Sequence, residues 1–142
     1  MPRLLGLFLL LAAMSLVGCG RNDIVPVSGM ATRGGKPVGN IVIWFTPSEG
    51  RPSWALTDAE GKFELDYNRD RKGARVGKHR VTVVYEPRPT DPGEEQLILS
   101  GKKARPSRPA EMDEILAKYS PNVSTLEIEI DRAVSDLEVK LD

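Results

Sequence analysis

Alternation is the feature that most narrows how this chain can fold. Leu126, Ile128 and Ile130 alternate with glutamates in LEIEI, and Leu137, Val139 and Leu141 alternate with polar residues in LEVKL. A period of two sends every second side chain to the same face of an extended strand, so one face is buried and the other is wet. The same period runs through most of the chain after Ile24. Val25, Val27, Gly29 and Ala31 lead to a Gly34-Gly35 turn, and Ile41, Ile43 and Phe45 share one face before Pro47 ends the run. Ala55 and Thr57 precede Asp58-Ala59-Glu60-Gly61, a tight turn that places Gly61 at positive φ. Phe63 and Leu65 then resume the inward face. His79, Val81, Val83 and Tyr85 line one side of the longest strand, with Arg80 and Thr82 on the other. About seven short strands, punctuated by Gly, Pro and Asp, predict a mainly β chain folded as an antiparallel β-sandwich. There is no internal repeat.

Residues 86–118 break the pattern. They open with Glu86-Pro87-Arg88-Pro89, which a central strand does not accommodate, because proline cannot donate to a ladder. A short helix is predicted from Asp91-Pro92 to Gly101. A stronger one starts near Pro109, with Met112, Ile115, Leu116 and Tyr119 on one stripe, and ends at Ser120-Pro121. A segment this long between two strands is either functional or a cover. We read it as a packing flap over an open sheet face. Lys102, Lys103, Arg105 and Arg108 between its helices read as a solvated basic tip rather than an anion site.

The N-terminus has a different character. Met1-Pro2-Arg3 is a short basic lead, Leu4 to Leu16 carries no charge, and Val17-Gly18 supplies small residues before Cys19, the only cysteine. That is the plan of a secretory leader. The run falls short of the ~20 apolar residues that a spanning helix needs. Leu16-Val17-Gly18-Cys19 resembles the lipobox of bacterial lipoproteins. The resemblance implies a leader at 1–18, diacylglyceryl modification and acylation of Cys19, and a lipidated tether at 19–23. It implies a membrane partner through that anchor in the cell envelope. Gly20 rather than aspartate after Cys19 leans, by the family's sorting rule, toward the outer membrane. One lipid chain anchors reversibly, and each buried methylene adds ~0.8 kcal/mol, so two or three chains hold firmly.

The remaining composition excludes several classes. With Cys19 committed there is no disulfide and no thiolate zinc site. The full chain balances 20 basic against 20 acidic side chains. That balance argues against nucleic acid as a partner, since such binding rests on neutralising phosphates.

A second resemblance covers residues 24–142. VSGMATRGGKPVGNIVIWFTP, ALTDAEGKFEL and GARVGKHRVTV are similar to carboxypeptidase-regulatory-like domains, which are small transthyretin-like or Ig-like sandwiches. Gly35-Lys36-Pro37, Thr57-Asp58 with Gly61 and Phe63, and Gly77 carry the likeness. It implies the fold and no particular activity. His79, Trp44 and Trp54 depart from the usual pattern.

Chemistry is sparse. His79 is the only imidazole and falls on a core-facing position, with no metal-ligand spacing around it. There is no nucleophile-elbow motif, and Asp58 reads as a turn former. We expect no catalytic residue, no metal and no cofactor. Trp44 and Trp54 remain as candidate ligand-binding residues. Both point away from the core on what should be neighbouring strands, so they would form either an aromatic platform or a pair covered by the 109–118 helix. The covered pair is our expectation. The chain reads as a lipid-anchored envelope protein with one structural or binding module and no catalysis. The alternatives are a glycan-binding accessory module using Trp44 and Trp54, and a subunit of an envelope or secretion complex that acts by β-strand addition.

Overall fold

The computed structural model describes residues 23–87 and 92–142, so Cys19 and the 1–18 leader lie outside the described residues. The first strands are β1 (Ile24–Val25), β2 (Val27–Arg33), β3 (Lys36–Pro37), β4 (Ile41–Pro47), β5 (Ser53–Leu56) and β6 (Lys62–Glu64). Then come β7 (Asp66–Asn68), β8 (Arg71–Lys72), β9 (Ala74–Arg75) and β10 (Gly77–Tyr85). Helices α1 (Pro92–Leu99) and α2 (Ala110–Tyr119) precede β11 (Glu127–Ile130) and β12 (Val134–Lys140). None of the described helices is long and apolar enough to cross a membrane.

The strands form a mainly antiparallel β-sandwich. One sheet runs β11-β10-β4-β5-β7-β8. The other is built on β2, with β12 along one side and β3 and β6 on the other, and β1 pairs with β9 in a short ribbon. The inward faces are those the alternation predicts. Ile41, Ile43, Phe45, Leu65, Val81, Val83, Ile130 and Val139 are fully buried in one cluster. Removing each such side chain from water contributes roughly 1.5–3 kcal/mol, which outweighs the side-chain entropy lost.

The turn after β5 sends the chain from one sheet to the other. The Asp58 carboxylate accepts from the Lys62 amide at 2.8 Å, and the Gly61 amide donates to the Asp58 carbonyl at 3.1 Å. Gly61 sits at φ +73°, and a Cβ there would lie 2.7 Å from the Ala31 carbonyl oxygen. β6 leaves this turn to pair with β2, yet β7 returns to pair with β5. The two strands flanking the turn therefore diverge instead of closing a hairpin.

The last strand is the one departure from the antiparallel pattern among the described strands. β12 runs parallel to β2, with Val134 opposite Val27 and Lys140 opposite Thr32. β11 descends antiparallel to β10 in the larger sheet, and residues 131–133 carry the chain across to the smaller one. A connection that changes sheets leaves strand direction free of the hairpin rule.

The flap expectation is corrected as well. α2 starts at Pro109, carries Glu111 and Asp113 in its first turn where the helix dipole favours acids, and ends with the Ser120 amide on the Leu116 carbonyl. Its buried residues, Met112 and Ile115, join the central cluster between the sheets. Arg33 ties it down by donating to the Glu111 carbonyl at 3.0 Å and pairing with Glu114. Tyr119 donates from its hydroxyl to the Asp142 carbonyl at 2.6 Å. The helix thus plugs one end of the sandwich and lies on neither outer face.

That end is opposite Asp23, the first described residue. Asp23 accepts from the Val76 amide at 2.7 Å, beside the start of β10, whereas α1 and α2 follow its far end. Nine extended residues place the two ends roughly 26 Å apart.

Candidate functional site

The outer face of the larger sheet carries a continuous cross-strand row. Thr82 of β10 lies opposite Trp44 of β4, and Trp44 lies opposite Trp54 of β5. Trp54 lies opposite Asp66 of β7, which lies opposite Lys72 of β8. The two indole centroids are 6.2 Å apart with their planes tilted by 36°. Such a pair contributes about 0.5–1.5 kcal/mol beyond its area. The sheet explains the pairing; it does not require that the rings stay open.

They do stay open. Trp54 is 40% exposed and Trp44 is half-buried, and neither packs against the central cluster that α2 joins. The expectation that the 109–118 helix covers both tryptophans is therefore overturned. The helix stripe of Met112 and Ile115 is instead buried in the central cluster at the open end of the sandwich. Thr82 is only 4% exposed although it faces outward, because its cross-strand neighbour is the Trp44 ring.

The rows on either side differ in character. Toward the helical end lie Val84, Val42 and Leu56, which are apolar. Toward the N-terminal end lie Glu127, Arg80 and Thr46, which are polar. Acrylamide should quench the Trp54 emission strongly, and Trp54→Phe should remove most of the quenchable signal. Uniformly blue-shifted, protected emission in the intact protein would mean that another surface covers this face.

Beside Trp54 the divergence of β5 and β6 leaves an open cleft of about 490 Å³. Trp54, Leu56 and Phe63 form its apolar wall, and Asp58, Glu64 and Asp66 bring carboxylates to it. Lys72 bonds Asp66 at 2.8 Å and Glu64 at 3.2 Å. Those hydrogen bonds, Asp66 first, hold its ammonium above the usual lysine range, so it stays charged. Lys62 also lines the cleft and makes no ion pair among the described residues. Sequence reasoning singled out the tryptophans but not Glu64, Asp66, Lys62 or Lys72. Only the jump of the chain between sheets brings them to Trp54.

The other candidates fall elsewhere. His79 is 1% exposed, with its Nε2 2.7 Å from the Arg75 carbonyl oxygen and its ring against Phe45. Its Nδ1 has no hydrogen-bond partner among the described residues. No group of three or more His, Cys, Asp or Glu among the described residues is placed to hold a metal ion. Asp58 is the turn former the sequence predicts. The basic tip is exposed, with Lys103 paired to Glu94 and Arg108 to Asp113. A second groove of about 520 Å³ crosses the outer face of the smaller sheet. Its polar groups bond one another there, Thr32 to Glu138 at 3.0 Å and Ser28 to the Ser135 carbonyl. Cys19 lies outside the described residues.

No family model, no curated protein and no solved structure matches this chain.

Proposed function

We propose that this protein is a non-catalytic binding module held at a bacterial cell envelope by a lipid on Cys19, and that the Trp44–Trp54 face is its recognition surface. The observation that carries the reading is the aromatic pair itself. Two indoles stand side by side on a sheet face that α2 leaves open, flanked by an apolar row and by charged side chains. Large aromatic side chains with little conformational entropy to lose make efficient contact surfaces.

The geometry is compatible with the tether. Ile24 and the start of β10 share one end of the sandwich. The segment 19–23 can reach at most about 18 Å when fully extended. A lipid on Cys19 would keep that end near the bilayer, so the long strands would stand away from it with the tryptophan face to the side. Helices α1 and α2 would then be distal to the membrane.

Strand addition at an edge is less well supported. The free side of β12 is marked by a register irregularity after Val134 and carries Asp136, Glu138 and Lys140, while β11 presents Glu127 and Glu129. Charges and irregularities of this kind protect an edge from added strands.

Cys19→Ser tests the anchor. The variant should lose all incorporation of an alkyne fatty acid and accumulate as unprocessed precursor, whereas equal labelling of variant and parent would remove the lipid from this proposal. The recognition surface is tested by sedimentation with isolated envelopes. Trp44→Ala should weaken retention of the unlipidated protein at least tenfold, and unchanged retention would assign the binding elsewhere.

A further inference from the structure

We propose that the cleft between β5 and β6 is a sugar subsite. It would take one unit of an uncharged or amine-bearing oligosaccharide whose next unit lies over Trp44. The proposal rests on the reading that the tryptophan face binds a ligand, and it adds the ligand's chemical class.

Three features favour a carbohydrate. First, Trp54 offers a flat, half-exposed ring at the mouth of the cleft, and the C–H face of a pyranose is an apolar plate that packs on such a ring. Second, polar groups line the same cleft as the aromatic wall. Asp58, Glu64 and Asp66 supply acceptors, and Lys62 and Lys72 supply donors. A hydroxyl both donates and accepts, so a set of mixed groups satisfies a sugar edge. It would leave the edge of a purely apolar ligand facing desolvated charge. Third, several of these groups, though not the Lys62 ammonium, make contacts within the cleft. Lys72 pairs with Asp66 and Glu64, and the Asp58 carboxylate is bonded to the Lys62 amide. Groups already in contact lose less freedom on binding.

Charge narrows the class further. Three carboxylates face two ammonium groups, so the cleft is net negative and repels uronates and sulfated or phosphorylated sugars. An amino sugar would be attracted. The same sign disfavours a nucleic acid, whose phosphates need cations. The row of Trp44 beside Trp54 offers two adjoining stacking positions, so the ligand should be an oligomer and not a single sugar.

The test uses the full-length lipidated protein in a polyoxyethylene detergent, which carries no sugar head group to compete. Chitotetraose, its fully deacetylated tetramer and tetragalacturonate are titrated while tryptophan emission and heat of binding are recorded. Chitotetraose and the deacetylated tetramer should both shift the emission to shorter wavelength and protect it from acrylamide, and tetragalacturonate should do neither. Trp54→Ala should weaken both tetramers at least tenfold while the protein stays folded with a cooperative melt, and Trp54→Phe should restore part of the affinity. Asp66→Asn should weaken the deacetylated tetramer more than the acetylated one.

Silence of both tetramers at millimolar concentration would overturn the sugar assignment, as would equal binding of tetragalacturonate. A photo-cross-linking residue at Val84 separates that failure from failure of the binding face. Silent sugars with a cross-linked envelope protein would remove the sugar and keep the face. Silent sugars with no cross-link would remove both.

Discussion

Phe63→Ala is expected to lower the unfolding free energy of residues 22–142 by about 3–5 kcal/mol, the range for deleting a buried phenyl ring from a core. Phe63 is only 5% exposed and belongs to the central cluster, with its ring 6.4 Å from that of Phe45. It is carried on a strand of three residues whose ladder partner is β2 alone. The void left by alanine would adjoin the open cleft beside Trp54, so it would not be filled by collapse of the flanking strands. Leu99→Ala is the matching control: at 73% exposure it should stay within about 0.5 kcal/mol of the parent. Denaturant melts decide. A loss below about 1 kcal/mol at Phe63 would mean that β6 does not hold its ring in the core.

Gly29→Ala should produce the second large loss, about 3 kcal/mol, at the upper end of what overpacking usually costs. Gly29 lies opposite both Phe63 of β6 and Leu137 of β12. A methyl group at this position would occupy the space of the Leu137 carbonyl, and backbone cannot move aside as a flexible side chain would. β12 would have to separate from β2 at the centre of their ladder. Loss of amide protection along β12 by hydrogen exchange should accompany the drop in stability. Parental stability and protection would mean that β12 does not pack against β2 in this register.

How far the site could be read from the sequence depends on which residues are local. Trp44 follows Ile43 and precedes Phe45, so its outward direction is a matter of parity once those two are inward. Trp54 beside Ala55 obeys the same rule. Their direct opposition, Trp44 against Trp54, needed only a short connection between neighbouring strands. Asp66 and Lys72 obey no such rule. Their place beside Trp54 depends on the chain leaving for the smaller sheet at β6 and returning at β7, which no period in the sequence announces.

The helices divide in the same way. The stripe of Met112, Ile115, Leu116 and Tyr119 and the prolines at 109 and 121 are local signals, and α2 forms between them. What the stripe covers was not local. Its apolar residues had two possible targets, the tryptophan face and the open end of the sandwich, and Met112 and Ile115 are buried at the latter.

By itself, then, the sequence determined the longer strands and their inward faces, the Asp58–Gly61 turn and the two helices, but not the short strands β3, β7, β8 and β9. Alternation, turn chemistry and capping act over a few residues. Only the tertiary structure decided that β12 runs parallel to β2, that α2 closes an end and leaves the tryptophans open, and that charged residues from β6, β7 and β8 gather at Trp54. Those outcomes depend on which sheet each strand joins. That choice is made by the total apolar area buried between distant segments, a quantity no local pattern contains.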